Sequence, residues 1–372
     1  MKIAFMGIRG IPARYGGFET FAEEIAPRLA KLGHDITVYG RSNNVEPDWH
    51  RKYYKGVRII ILPTVSQKYL DTVVHTLVST LHALFIDKYD VILMMNAANA
   101  LFTWIPKIRG TKVALNVDGI ERLRKKWGVL GRLYYRIGER LATVLPDVIV
   151  CDAKVIQDYY LSMYKASSEL IAYGAEVGRT ESIDILRELG VHPKGYVLYV
   201  TRFEPENNPH ILIDAFSRVA SDKRLIVVGD APYSNAYKKM LYEKASKDPR
   251  VMLPGFIYGK GYRELLSHAY CYVQATEVGG THPALIEAMG AGNCVIANET
   301  PENIEVLSNA GLVYKKNNTD DLANKIQMVL DNENIVEDFS LKAAERIREM
   351  YNCESITAQY HELFTRLSAQ KK

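Results

Sequence analysis

Residues 2–39 read KIAFMGIRGIPARYGGFETFAEEIAPRLAKLGHDITVY, and the hydrophobic period changes twice along them. Lys2–Met6 is a short apolar run of the kind that forms a buried strand. Phe18, Phe21, Ala22, Ile25, Leu29 and Leu32 then recur at helical spacing, Gly33 supplies the stop, and Asp35–Tyr39 is β-rich again. One complete βαβ crossover results, which is the building unit of a parallel sheet.

The same alternation extends outward. Val57–Leu62, Asp90–Met94, Lys112–Val117, Asp147–Cys151 and Glu169–Tyr173 read as further strands. Between Gly174 and Gly195 the rhythm is broken by Gly174, Gly178, Gly190, Pro193 and Gly195, and a domain boundary is expected there. A second series follows, near Tyr196–Thr201, Arg224–Val228, Val251–Leu253, Cys271–Ala275, Asn293–Ala297 and Gly311–Tyr314, and the chain from about Asp320 to Leu367 is nearly all helical. The fold class expected is α/β, with two Rossmann-like doubly wound domains, 1–175 and 176–351, facing a cleft in which a ligand lies beyond the carboxyl ends of the strands.

Composition agrees with two ordinary domains. The 372 residues exceed what one core serves, 48% are hydrophobic and 24% charged, and no repeat of solenoid period is visible. Cys151, Cys271, Cys294 and Cys353 are far apart with no CxxC pair, which argues against a zinc site or a disulfide framework. The start of the chain has one Lys2 and an apolar run broken by Arg9, too short for a signal peptide, so a cytoplasmic location is expected. Thr72–Ile86 carries His75, Ser79, Thr80 and His82 and reads as a packed helix rather than a membrane span.

Three segments are candidates for chemistry. The first, Gly7–Glu19, is a glycine-rich loop opening a helix, where backbone can approach a ligand and free N–H groups can meet an anion. It lacks the G-x-G-x-x-G spacing and the acid after the second strand that NAD would require. A turn with tightly packed glycines explains it equally well. The second, Thr201–Pro209, places Arg202 at a strand's carboxyl end, where a guanidinium can grip a phosphate, although a surface or ion-paired arginine is the commoner case.

The third, Cys271–Gly292, is the most specific. It reads as a buried strand, a flexible turn from Glu277 to His282, and a helix starting at Pro283. Backbone amides of Gly279, Gly280 and Thr281 with the helix N-terminus would form a diphosphate nest. Glu287, in an otherwise apolar helix, needs hydrogen-bond donors, and ribose hydroxyls or a structural backbone amide both qualify.

In this order the segments GIRGIPARYGGFETF, NVDGIERLRKKWG, TRFEPENNP and EVGGTHPALIEAMGAGNCVIA resemble the retaining glycosyltransferases of family 4 with the GT-B fold, more narrowly their rhamnosyltransferase-like subgroup. The resemblance implies a first domain on the acceptor side, with the C-terminal helix 352–372 packing back on it, and a second that binds the nucleotide sugar. It implies that Gly16, Gly17 and Glu19 lie near the donor phosphates and acceptor, that Arg202 stabilises the departing diphosphate, and that Glu287 holds the ribose. Departures are equally visible. The family's paired glutamates are eight apart, which puts Gly279 at the first position and leaves Glu277 ten residues before Glu287. The family's second phosphate-binding cation is a lysine five positions after the arginine, and here it is Asn207. Asp118 stands where many relatives have histidine and is expected to touch the donor sugar or the acceptor hydroxyl. His282, Arg122 and Lys125 are placed on the acceptor side or left open. The resemblance implies a hexosyltransferase that retains configuration, uses no metal or other cofactor, and takes dTDP-rhamnose, or a UDP- or GDP-sugar, as donor to a glycan or lipid-diphosphate-linked acceptor in polysaccharide biosynthesis.

Arg122, Arg124, Lys125, Lys126, Arg132, Arg136 and Arg140 concentrate positive charge within a chain of formal net charge +4. Arg132, Arg136 and Arg140 fall on one helical stripe, and Leu133, Ile137, Leu141 and Val144 on another. Residues 122–140 fit a peripheral contact with the anionic inner face of a cell membrane, or a solvated face above an ordinary core; no motif for nucleic acid accompanies them. Two other functional classes share the architecture: a nucleotide-sugar epimerase, and a non-catalytic nucleotide-sugar-binding subunit, the latter favoured by Asn207 and Gly279.

Overall fold

A computed structural model describes residues 1–14, 16–44, 51–67, 70–125, 127–231 and 235–370. Lys126, counted above in the basic stretch, lies outside them. The chain divides into two compact units, one of Met1–Leu123, Trp127–Gly174 and Cys353–Lys372, the other of Ala175–Asn352 together with the short stretch Arg124–Lys126.

The first unit holds an eight-stranded sheet: β1 (Lys2–Met6), β2 (Asp35–Arg41), β3 (Tyr53–Tyr54), β4 (Val57–Leu62), β5 (Val91–Met95), β6 (Lys112–Asn116), β7 (Val148–Cys151) and β8 (Glu169–Leu170). Their spatial order is β3-β4-β2-β1-β5-β6-β7-β8, and every pairing is parallel except β3 with β4. Strand β3 escapes sequence reading because it is two residues long. It is turned into β4 by Lys55 and Gly56, both at positive φ (47° and 84°), a left-handed pair that a two-residue hairpin requires. The strand expected over Glu169–Tyr173 ends at Leu170 instead. Tyr173 leaves the sheet edge and packs its ring on Phe21, with centroids 5.2 Å apart. On Phe21 also rests Tyr360 of the C-terminal helix Cys353–Ala369, at 5.3 Å, and Asn116 Nδ2 donates to its hydroxyl.

Three helical connections follow one another on the β5 side of β1: α2 (Asp71–Phe85) before β5, the 3-10 segment Ala97–Phe102 with α3 (Trp104–Lys107) before β6, and α4 (Val129–Ala142) before β7. Right-handed crossovers running the same way across the sheet put these on one face, opposite α1 (Gly17–Lys31), which runs from β1 the other way. On α4 the apolar stripe read from the sequence meets the core only at Leu141, which is partly buried against it. Tyr135, Gly138, Glu139 and Ala142 are buried, while Leu133, Ile137 and Val144 are exposed. The reason is Gly138: a Cβ there would lie 2.7 Å from Ala97 O, so the helix approaches the 97–102 segment along its small-residue side.

The second unit is a six-stranded parallel sheet of β9 (Tyr196–Val200), β10 (Arg224–Val228), β11 (Val251–Met252), β12 (Cys271–Gln274), β13 (Cys294–Asn298) and β14 (Leu312–Tyr314), in the order β11-β10-β9-β12-β13-β14. In both sheets the order reverses once, between β1 and β5 and between β9 and β12. The carboxyl ends of those strands are where helices leave on opposite faces and open a crevice for a ligand. The glycine-rich loop follows β1, the Arg202 loop follows β9, and the Glu277–His282 loop follows β12. All four cysteines are buried free thiols.

Candidate functional site

In the second unit the loop after β9 is held from both sides. Thr201 N donates to Val228 O at 2.9 Å and Phe203 N to Asp230 O at 3.1 Å, with the Phe203 ring in the core, so half-buried Arg202 stands between two anchored residues. Gly229, at φ 148°, allows this closeness, since a Cβ there would overlap the Thr201 carbonyl. Asn207 is buried and braces the same loop: its Nδ2 donates to Arg202 O at 2.9 Å, and its own carbonyl accepts from Tyr199 Oη at 2.6 Å. A lysine there could not make the carbonyl-bracing amide contact in this way.

The loop after β12 meets it directly, because Glu277 N donates to Glu206 O at 2.9 Å. Gly279, Gly280 and Thr281 are buried and lead into the helix Pro283–Gly290, whose N-terminus no His282 side chain caps. Those backbone groups and the aligned peptide dipoles present partial positive charge at the switch point. The His282 ring folds over Gly279 so closely that a Cβ at 279 would overlap it, 2.9 Å from Nε2. A glutamate at that position is therefore incompatible with this ring placement, which gives the glycine a physical reason. Burial, and then the charges of Arg124 and Arg202, push the His282 imidazole down to about 3, so it is neutral at physiological pH.

Glu277 is engaged by Lys125 Nζ at 2.5 Å and by Asn317 Nδ2. Burial alone would raise its carboxyl; the hydrogen bonds from Lys125 and Asn317 outweigh that and hold it below the ordinary value. The Glu287 carboxylate accepts from Tyr262 Oη, a phenol brought to it from another helix. Burial and the Glu287 charge drive the Tyr262 hydroxyl well up, keeping it a donor.

Two residues here were not singled out by sequence. Glu206 is 0% exposed, and among the described residues neither of its carboxylate oxygens accepts a hydrogen bond. Its Oε1 lies 4.0 Å from Nη1 of Arg124, itself 5% exposed. The sequence shows Glu206 as one acid in a polar turn and Arg124 as one cation in a basic run; only the folded loop buries them together. Arg122 is likewise turned inward, its guanidinium donating to Tyr159 Oη and pairing with buried Glu139. Of the basic face expected over 122–140, Arg122, Arg124 and Lys125 are thus engaged in internal pairs, and Arg132, Arg136 and Arg140 remain on the surface.

In the first unit the glycine-rich loop takes left-handed or extended backbone at Gly7, Gly10 and Gly16 (φ 81°, 117° and 108°). At Gly10 a Cβ would lie 2.9 Å from Gly40 Cα, so the loop rests on β2. Buried Glu19 closes it by accepting from Arg9 N at 2.7 Å, and Gly16 and Gly17 form the start of α1. Asp118, at φ 52°, follows β6 and is half-buried, its N–H donating to Asn116 Oδ1. Burial, then the Asp118 charge, raises the phenol of Tyr173 well above its ordinary value.

Residues 184–346 match the family described as glycosyl transferases group 1, and residues 1–176 match a domain of unknown function, DUF1972. A stretch of 157 residues is 24% identical to the O-antigen chain mannosyltransferase B of Escherichia coli; it covers 41% of this chain and 41% of that protein, so the match spans about two fifths of the relative's length. Among solved structures, a sucrose-phosphate synthase from Thermosynechococcus elongatus superposes with TM-score 0.83 at 19% identity, covering 99% of both chains. HepE of Anabaena in complex with UDP-glucose superposes with TM-score 0.78 at 18% identity over 98% of this chain and 100% of that one. The chain has the GT-B fold, and its second unit carries a glycosyltransferase domain.

Proposed function

We propose that this chain transfers a sugar from a nucleoside-diphosphate sugar to a glycan or lipid-diphosphate-linked acceptor with retention of configuration, dTDP-rhamnose being the first donor to test. The observation that carries the reading is the meeting of the Arg202 loop and the Gly279–Thr281 loop at the switch point of the second sheet, inside the stretch that matches glycosyl transferases group 1. A nucleoside diphosphate leaves when donors are aimed at its developing charge. Arg202, the amides of Gly279, Gly280 and Thr281, and the helix N-terminus supply such donors without a metal in this mechanism. Glu287, oriented by Tyr262, holds the ribose hydroxyls. Asn207 acts on the donor side through the Arg202 carbonyl it braces.

In the first unit Gly16, Gly17 and Glu19 serve the donor phosphates and acceptor, and Asp118 the acceptor hydroxyl or donor sugar. Attack from the face the diphosphate leaves, with the acceptor proton passing to the departing phosphate oxygen, forms the new glycosidic bond as the old one breaks. The likeness of HepE, solved with UDP-glucose, supports a nucleotide-sugar donor and is silent on the base. Incubation with dTDP-rhamnose, UDP-glucose and GDP-mannose tests the reading. Release of nucleoside diphosphate supports a transferase, epimerised donor would replace it with an epimerase, and binding without turnover would make it a non-catalytic subunit.

A further inference from the structure

Helix α2 is inside out. It buries His75, Thr76, Ser79 and Thr80; two of the hydroxyls are absorbed by the helix itself, Ser79 Oγ donating to His75 O at 2.8 Å and Thr80 Oγ1 to Thr76 O at 2.9 Å, and the His75 ring meets Gly40 O at 3.0 Å. Leu77, Leu81 and Phe85 form a stripe at four-residue spacing on its outer side, with Phe85 74% exposed. Helix α4 is inverted in the same sense, burying Gly138 and Glu139 while Leu130, Leu133 and Ile137 face outward, the first 83% and the last 51% exposed. Between them Leu101, Trp104 and Ile108 are exposed as well.

Direct contacts tie the three elements into one surface. Tyr134 Oη of α4 donates to Ala98 O at 2.8 Å, and Arg109 Nη1, just past α3, donates to Leu84 O of α2 at 2.6 Å. The three elements therefore lie side by side, and exposed apolar residues gathered on neighbouring elements are the kind of feature that marks an interaction surface. The charge on this surface has one sign. Arg132, Arg136 and Arg140 are exposed, and none has an ion-pair partner among the described residues. Nearby acids are spoken for: Glu139 is buried, Asp71 pairs with Arg41 at 2.7 Å and Asp87 with Arg58 at 3.0 Å.

We infer that the face made by α2, residues 97–108 and α4 docks on an anionic lipid bilayer, its leucines and aromatics entering the headgroup boundary and Arg132, Arg136 and Arg140 meeting lipid phosphates. Exposed apolar stripes beside unpaired guanidinium groups are the pattern of an interfacial helix. Charge complementarity selects the anionic surface, since a second copy of this chain would bring three like charges to the same face. The inference deepens the lipid-linked reading of the acceptor and rests on it for its purpose, but the contact is measured without donor or acceptor.

Sedimentation of the full chain with vesicles of phosphatidylcholine and phosphatidylglycerol in equal parts tests it, against phosphatidylcholine alone, at low and high salt. The protein should pellet with the anionic vesicles at low salt only. Replacing Arg132, Arg136 and Arg140 together by Gln should weaken partitioning on the order of a hundredfold, and Leu130→Asn with Ile137→Asn should weaken it while leaving the melting temperature unchanged, as these residues are outside the core. Equal binding to both vesicle types, no binding at low salt, or a dimer that the asparagine variant dissolves would overturn the inference. Vesicle binding without nucleoside-diphosphate release would leave this surface standing and remove the transferase reading; release without binding would do the reverse.

Discussion

Replacing Arg124 by alanine removes the cation that faces Glu206, which is wholly enclosed, accepts no hydrogen bond among the described residues, and has Arg124 Nη1 at 4.0 Å. Two unit charges at that distance, with an effective dielectric of about 20, attract by about 4 kcal/mol. That figure agrees with the roughly 3–5 kcal/mol lost when one member of a buried pair is removed. For a unit of this size each kcal/mol moves the melting temperature by about 2–4 °C, so Arg124→Ala should lower the transition of the second unit by roughly 10 °C. The double variant Arg124→Ala/Glu206→Gln removes the orphaned charge and leaves only a buried amide, at about 1–3 kcal/mol. It should recover roughly a quarter to three quarters of the lost stability. Calorimetry on wild type, both single variants and the double variant closes the cycle. A double variant no more stable than Arg124→Ala would refute the reasoning, because the burden would then lie in lost packing and not in an unpaired carboxylate.

Gly279→Ala should force the His282 ring aside and weaken donor binding, and the added change His282→Ala should restore it; titration with nucleoside diphosphate measures both, and no rescue would mean that the ring is not the obstacle. Tyr262→Phe removes the hydroxyl that orients Glu287 and should raise the donor dissociation constant about tenfold with little effect on folding, in line with a charged hydrogen bond of about 1.5 kcal/mol. The Glu277 carboxyl is held below its ordinary value, so its contact with Lys125 contributes stability above the unfolded pKa of about 4.3 and loses it as pH falls through the lower folded value. Acid unfolding of Glu277→Gln should accordingly depend less steeply on pH below about 4.3, and an unchanged acid limb would show that the pair is dispensable.

Much of the sheet architecture was legible because buried parallel strands are short apolar runs between helical periods: β1, β4 and β10 have the bounds that the residue pattern gives them. Edges were not legible. Tyr53–Tyr54 is too short to show alternation, and the β8 run is cut where Tyr173 gains more by packing on Phe21 than by pairing at a sheet edge. Helical period was readable on α4 but not its orientation, since a buried glycine against Ala97 and a buried Glu139 among Arg122, Tyr159 and Tyr164 turn the leucines outward. The loops after β9 and β12 were visible from their turn residues and the proline at the helix start. Their long-range partners were not: Tyr262 for Glu287, Arg124 for Glu206, Lys125 and Asn317 for Glu277 are set by tertiary contact and carry no local signature.

The central claim is that the second unit's switch point binds a nucleoside-diphosphate sugar and that Arg202 meets the charge of the leaving diphosphate. Release of nucleoside diphosphate from dTDP-rhamnose, UDP-glucose and GDP-mannose, followed for wild type and Arg202→Ala at saturating donor, tests it most directly. We expect one donor to be turned over by wild type and the variant to be slower by about 2.7–4 kcal/mol of barrier, roughly a hundred- to a thousandfold, with donor affinity little changed. Turnover by Arg202→Ala at the wild-type rate, or no release from any donor, would contradict it.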